Sequence, residues 1–60
     1  MNDKISVLIA DDNCNFANEL AEFLKTTPDI TVAAVANDGN EALSLIEETS
    51  PDVAILDIIM

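Results

Sequence analysis

Apolar and polar positions along the chain divide it into five segments, each with its own period. Ile5 to Ala10 is a continuous apolar run broken only by Ser6, short and rich in branched side chains. Such a run predicts a strand buried on both faces, as in a parallel sheet. From Asn13 to Lys25 the period lengthens: Phe16, Leu20, Phe23 and Leu24 recur at helical spacing, with Glu19 and Glu22 on other faces. Asn13 is suited to cap that helix, and Thr26-Thr27-Pro28-Asp29 ends it, because proline disfavours a helical residue before it. Ile30 to Val35 returns to a short branched run and predicts a second strand. Asn37-Asp38-Gly39 signals a turn. Asn40 to Glu48 predicts a second helix that buries Ala42, Leu43 and Ile46, and Thr49-Ser50-Pro51-Asp52 breaks it. Val53 to Ile58 predicts a third strand.

The resulting order, β-α-β-α-β, implies an α/β fold with a parallel sheet and right-handed crossovers. Ligands of open parallel sheets sit beyond the carboxyl ends of the strands, at a topological switch point. Asp11 and Asp12 lie just past the first strand, and Asp57 lies near the end of the third. If those two strands are neighbours, the three carboxylates converge. The sequence holds no internal repeat, low-complexity segment or linker.

Three carboxylates within a few ångströms repel one another, and a hard divalent cation relieves the repulsion. Magnesium takes one or two carboxylates and completes its octahedron with other oxygens and water. Calcium or manganese would suit the same all-oxygen donors. For Asp11 and Asp12 the plain alternative is a capping role beside Asn13. That alternative is weaker for Asp57, since a carboxylate within a buried-type strand needs a partner, a metal or a chemical role. Asp11, Asn13, Asn15 and Glu22 also fall at positions 1, 3, 5 and 12 of an EF-hand loop. Position 6 of that loop requires glycine and here is Phe16, and a strand rather than a helix leads into it, so the match is accidental. With one glycine, no GxGxxG and no GKS/T, the chain lacks a phosphate-cradling nucleotide loop. Cys14 stands at a helix start, where thiols can be activated, but the chain has no histidine to serve as its base. It reads as a small helix residue.

Charge narrows the partners. Twelve acidic residues face two lysines, for a formal net charge of −10. Binding nucleic acid or anionic lipid requires basic side chains to neutralise phosphate, so this segment is expected to bind neither. A single cysteine forms no internal disulfide, and no apolar run approaches the ~20 residues of a membrane span. The expectation is an acidic cytoplasmic domain.

"VLIADDN" at the first strand end, "VANDGNEAL" entering the second helix and "PDVAILDIIM" around the third strand resemble the receiver domain of two-component response regulators. The three motifs occur in that family's order and spacing. Within it, "ADDN" and "DIIM" are most similar to the sporulation-type regulators of spore-forming Gram-positive bacteria. The resemblance implies that Asp57 accepts a phosphoryl group from a phosphohistidine on a histidine kinase or histidine phosphotransfer protein. It implies further that Asp12 and Asp57 bind magnesium directly, that Asp11 acts largely through water, and that the Ile59 backbone carbonyl adds an oxygen. The chain would then be a phosphoacceptor in transcriptional control, with self-catalysed phosphotransfer at most, and no enzyme. The alternative is a phosphotransfer enzyme of the haloacid-dehalogenase-like type. Those enzymes place a second aspartate two residues after the nucleophile, where this chain has Asn13 after Asp11 and Ile59 after Asp57.

By the same resemblance, residues 1–60 form the amino-terminal part of a receiver. The later strands, with a switch hydroxyl and a phosphate-binding lysine, and any DNA-binding domain would lie outside them. Neither Lys4, before the first strand, nor Lys25, at the end of the first helix, is placed to substitute for that lysine. A flavodoxin-type sheet begins in the order 2-1-3, which leaves "VAILDII" with an unpaired edge in this segment. The 60 residues alone are expected to self-associate through that edge.

Overall fold

The computed structural model describes residues 4–57. Three strands and two helices alternate: β1 (Ile5–Asp11), α1 (Cys14–Lys25), β2 (Ile30–Ala36), α2 (Gly39–Thr49) and β3 (Val53–Asp57). The sheet is parallel in the order β2-β1-β3. Each strand begins where the apolar pattern places it. β1 and β2 each run one residue further, and Ile58, expected at the end of the third strand, lies outside the described residues.

Alternation along β1 builds two cores on opposite faces of one sheet. Val7 and Ile9 pack with Ala17 and Ala21 of α1, joined at the margin by Leu20, Leu24, Ile30, Val32 and Val35. Leu8 and Ala10 pack with Ala36 and Ala42, beside Ala34, Leu45 and Ile46. Consecutive strand residues point to opposite faces, so α1 covers one side and α2 the other. Leu8 and Ile9 are the largest fully buried side chains. Burying each contributes roughly 1.5–3 kcal/mol.

The helix starts follow their sequence signals. The Asn13 side chain accepts a hydrogen bond from the Phe16 amide at 3.1 Å and caps α1. Asp38 accepts from the Glu41 amide at 2.8 Å and caps α2, while Glu41 Oε1 accepts from the Asn37 amide at 2.7 Å. This exchange satisfies two otherwise unpaired donors at the helix entry. Gly39 therefore opens a helix rather than supplying a positive-φ turn residue. The left-handed conformation falls instead to Ser50, the cap of α2 at φ 47°, whose amide donates to the Ile46 carbonyl at 2.9 Å.

Packing corrects several sequence expectations. Phe16 and Phe23 are 49% and 67% exposed, and alanines take the centre of the α1 contact. Phe16 lies one residue from Ala17, about 100° round the helix, and only small side chains let the helix axis approach the sheet. Leu43, expected in the core, is 66% exposed; Ala42 and, partly, Ile46 fill that face instead. β1 is buried on both faces only from Val7 onward, with Ile5 exposed and Ser6 half-buried. As expected for this segment, β3 is exposed at all five positions, because among the described residues it pairs only with β1 and neither helix packs extensively on it. A shallow cleft of about 520 Å³ separates its Leu56 from α2, with Ala42, Leu43 and Ile46 on the opposite wall. The β1–β2 ladder also shifts register between Val7 and Leu8: Val7 pairs with Val32 and Leu8 with Ala34, which leaves Ala33 as an extra residue.

Candidate functional site

The carboxyl ends of β1 and β3 meet at the edge of the sheet where the strand order reverses, which is where open α/β folds bind ligands. There Asp11 and Asp57 are register partners in adjacent parallel strands. Five pairs run in step to that point: Val7 with Val53, Leu8 with Ala54, Ile9 with Ile55, Ala10 with Leu56, and Asp11 with Asp57. By alternation from Val7 and Ile9, both aspartates belong to the α1 face. Two carboxylates are thus held side by side at the end of a rigid element.

Their surroundings differ. Asp11 is 4% exposed and is the buried charged residue among those described. Its Oδ1 accepts from the Asn13 amide at 2.8 Å, so it also shapes the turn from β1 into α1. Asp12, in that turn, and Asp57, at the strand end, are exposed. Burial therefore falls on Asp11, whereas the sequence pattern pointed to Asp57. Ile59, expected to add a backbone oxygen, lies outside the described residues.

Among the described residues, no three His, Cys, Asp or Glu side chains are gathered closely enough to hold a metal ion as a set. A closed cage is not what magnesium requires. It uses one or two carboxylates and keeps several waters, and the Asp11–Asp57 pair with Asp12 beside it offers the hard oxygen donors this ion prefers. The residues present fit the ion on that count.

Competing chemistries are poorly placed. Asn15 and Glu22 lie on α1 and Asp11 ends a strand, so no EF-hand loop exists. Cys14 is an exposed first residue of α1. Lys25 pairs with Glu22 at 3.5 Å at the far end of α1, and Lys4 precedes β1, so neither of the two lysines reaches the strand ends. No helix of the described residues is long and apolar enough to cross a membrane.

Two curated relatives extend this geometry to known proteins. The chain is 45% identical over 56 residues to the transcriptional regulatory protein LiaR of Bacillus subtilis, covering 93% of this chain and 26% of that protein. It is 43% identical over 56 residues to protein-glutamate methylesterase/protein-glutamine glutaminase 2 of Nitratidesulfovibrio vulgaris, covering 93% of this chain and 15% of that one. The chain therefore spans about a quarter or less of the relatives it matches. No solved structure gives a significant match. The haloacid-dehalogenase-like alternative gains no support from these relatives. Residues 7–60 match the response regulator receiver domain, and with three parallel strands ending in paired aspartates, the chain belongs to that family of signalling phosphoacceptors.

Proposed function

We propose that this chain is the amino-terminal, phosphoryl-accepting part of a receiver and that Asp57 is the acceptor. The observation that carries this reading is the register pairing of Asp57 with Asp11 at the switch point of the sheet. Receiver domains are phosphorylated by histidine kinases, and the absence of histidine from these 60 residues fits a donor supplied in trans. An Asp57 carboxylate oxygen would attack phosphorus as the P–N bond of a partner's phosphohistidine breaks; the electron pair of that bond returns to the ring nitrogen. Asp57 is exposed and can meet a partner's side chain, whereas buried Asp11 cannot do so directly.

Receiver domains generally bind magnesium for phosphorylation. Here Asp12 and Asp57 would hold the ion, with Asp11 acting largely through water and the Ile59 carbonyl adding an oxygen. The bound cation offsets charge on the transferring phosphoryl oxygens. Incubation of the full-length parent with acetyl phosphate and magnesium tests the whole reading. One acid-stable, base-labile acyl phosphate is expected, and none forming would refute it. Asp12→Ala should weaken magnesium binding roughly tenfold or more by removing one charged ligand. Equal affinity in calorimetry would remove Asp12 from the ligand set.

The finer biological role follows the sequence resemblance. We infer a cytoplasmic transcriptional regulator of sporulation initiation: the "ADDN" and "DIIM" segments support the sporulation role, and likeness to a transcriptional regulatory protein supports transcriptional control alone. DNA contact would belong to another domain, since this segment carries a net charge of −10.

The outer edge of β3 has no strand neighbour among the described residues. Val53, Ile55 and Leu56 there are 46%, 37% and 59% exposed. An unpaired apolar edge templates addition of another strand. The 60-residue chain in isolation is expected to self-associate through it, giving a scattering mass that rises at low micromolar concentration. A cooperatively folding monomer throughout that range would show that the edge is inert.

A further inference from the structure

β2 is an outer strand of the sheet. In the flavodoxin-type order that begins 2-1-3, later strands add beyond β3, so β2 stays outermost as the sheet continues. Its seven residues, Ile30–Ala36, read "ITVAAVA": more than half are β-branched, and none is charged, proline or glycine. An uncharged, branched run of this length along an open edge is a template for pairing with another chain. Proteins blunt such edges with charge, proline, a short strand, a covering element or a bulge. Within β2 the device present is a bulge, at Ala33.

Neither core requires that residue. Ile30, Val32 and Val35 pack on the α1 side, whereas Ala34 and Ala36 pack on the α2 side. Alternation is therefore reset between Val32 and Ala34. If Ala33 is removed, Ala34 follows Val32 directly. The six pairs with β1, from Ile5 with Ile30 to Ala10 with Ala36, then become an unbroken ladder. The same side chains still meet the same helices. Ala33 is thus a residue that pairing and packing leave unexplained. What it changes is the edge. A bulge takes one residue out of the ladder, bends the strand and increases its twist, so the outward amides and carbonyls no longer form a straight row.

We propose that the Ala33 bulge is a guard against edge-to-edge association, keeping β2 from pairing with a second copy of this chain. Ala33 lies in mid-strand, away from Asp11 and Asp57 at the strand ends, so the guard is independent of the reading of Asp57 as acceptor.

The test uses the full-length parent in three forms: wild type, a deletion of Ala33, and that deletion combined with Thr31→Lys. Thr31 is exposed on β2, where a lysine opposes strand addition without entering either core. Circular dichroism follows folding and light scattering follows mass against concentration. The deletion should keep cooperative unfolding. Its weight-average mass should exceed that of wild type by roughly twofold or more at high micromolar concentration, because a straightened edge pairs with itself. Adding Thr31→Lys should return the mass to that of wild type. A deletion variant with the wild-type mass at every concentration would overturn the proposal. Association that persists unchanged with Thr31→Lys would overturn it too, since the contact would lie elsewhere. So would a deletion variant that fails to fold, because the cores would then need the extra residue.

Discussion

Asp57→Asn is expected to abolish phosphoryl uptake while leaving the fold intact. The substitution preserves the size and planarity of the side chain and removes its negative charge. An amide oxygen has little tendency to attack phosphorus, and an amide cannot form the acyl phosphate that a carboxylate forms. Removal of a nucleophile from other covalent mechanisms costs on the order of 10⁴–10⁶ in rate, so labelling should fall below detection. Because Asp57 is exposed at a sheet edge, little packing is disturbed. The comparison with Asp11→Asn makes the result specific. Asp11 is buried and accepts the Asn13 amide at 2.8 Å, so its replacement should slow uptake without eliminating the acceptor. Intact-mass measurement after exposure to acetyl phosphate and magnesium reads both variants. A full phosphoryl increment on Asp57→Asn would show that another carboxylate is the acceptor.

Leu8→Ala should cost most or all of the folding stability. Leu8 is fully buried between β1 and α2, and the core around it includes Ala10, Ala36 and Ala42. Alanines cannot reorient to fill a void, so the cavity would persist. Buried Leu→Ala changes cost about 2–5 kcal/mol, with the larger values where the site cannot collapse. A chain of this length has a total margin of about 3–9 kcal/mol. The exposed Leu43 provides the control: Leu43→Ala should change stability by about 0.5 kcal/mol or less. Urea unfolding followed by circular dichroism separates the two. Equal midpoints would mean that the α2 face of the sheet does not carry the core.

Much of this molecule is legible along the chain because its determinants are local. A helix with Asn13 at its cap, a second capped at Asp38, and three branched apolar runs need only the neighbouring residues to be recognised, since period and capping act within a turn or two. The doubled aspartate at Asp11-Asp12 and the aspartate in "VAILD" were legible as chemistry for the same reason: charge at the end of an apolar run stands out locally.

Tertiary structure decided what depends on contacts between distant segments. The sequence showed Phe16 and Phe23 at helical spacing, but only close approach of α1 to the sheet selected Ala17 and Ala21 for the interface. Ala33 became an extra residue because β2 must match β1 on both sides of Val7, a requirement absent from β2 itself. Among the described residues Asp11 is buried and Asp57 exposed, because β1 is flanked by two strands and β3 by one. The pairing of Asp57 with Asp11 joins strands 46 residues apart in the chain, and the Ser6 amide donates to Asp52 near the start of the same pairing. Periodicity names the face a side chain can occupy; register, which is non-local, determines what stands opposite it.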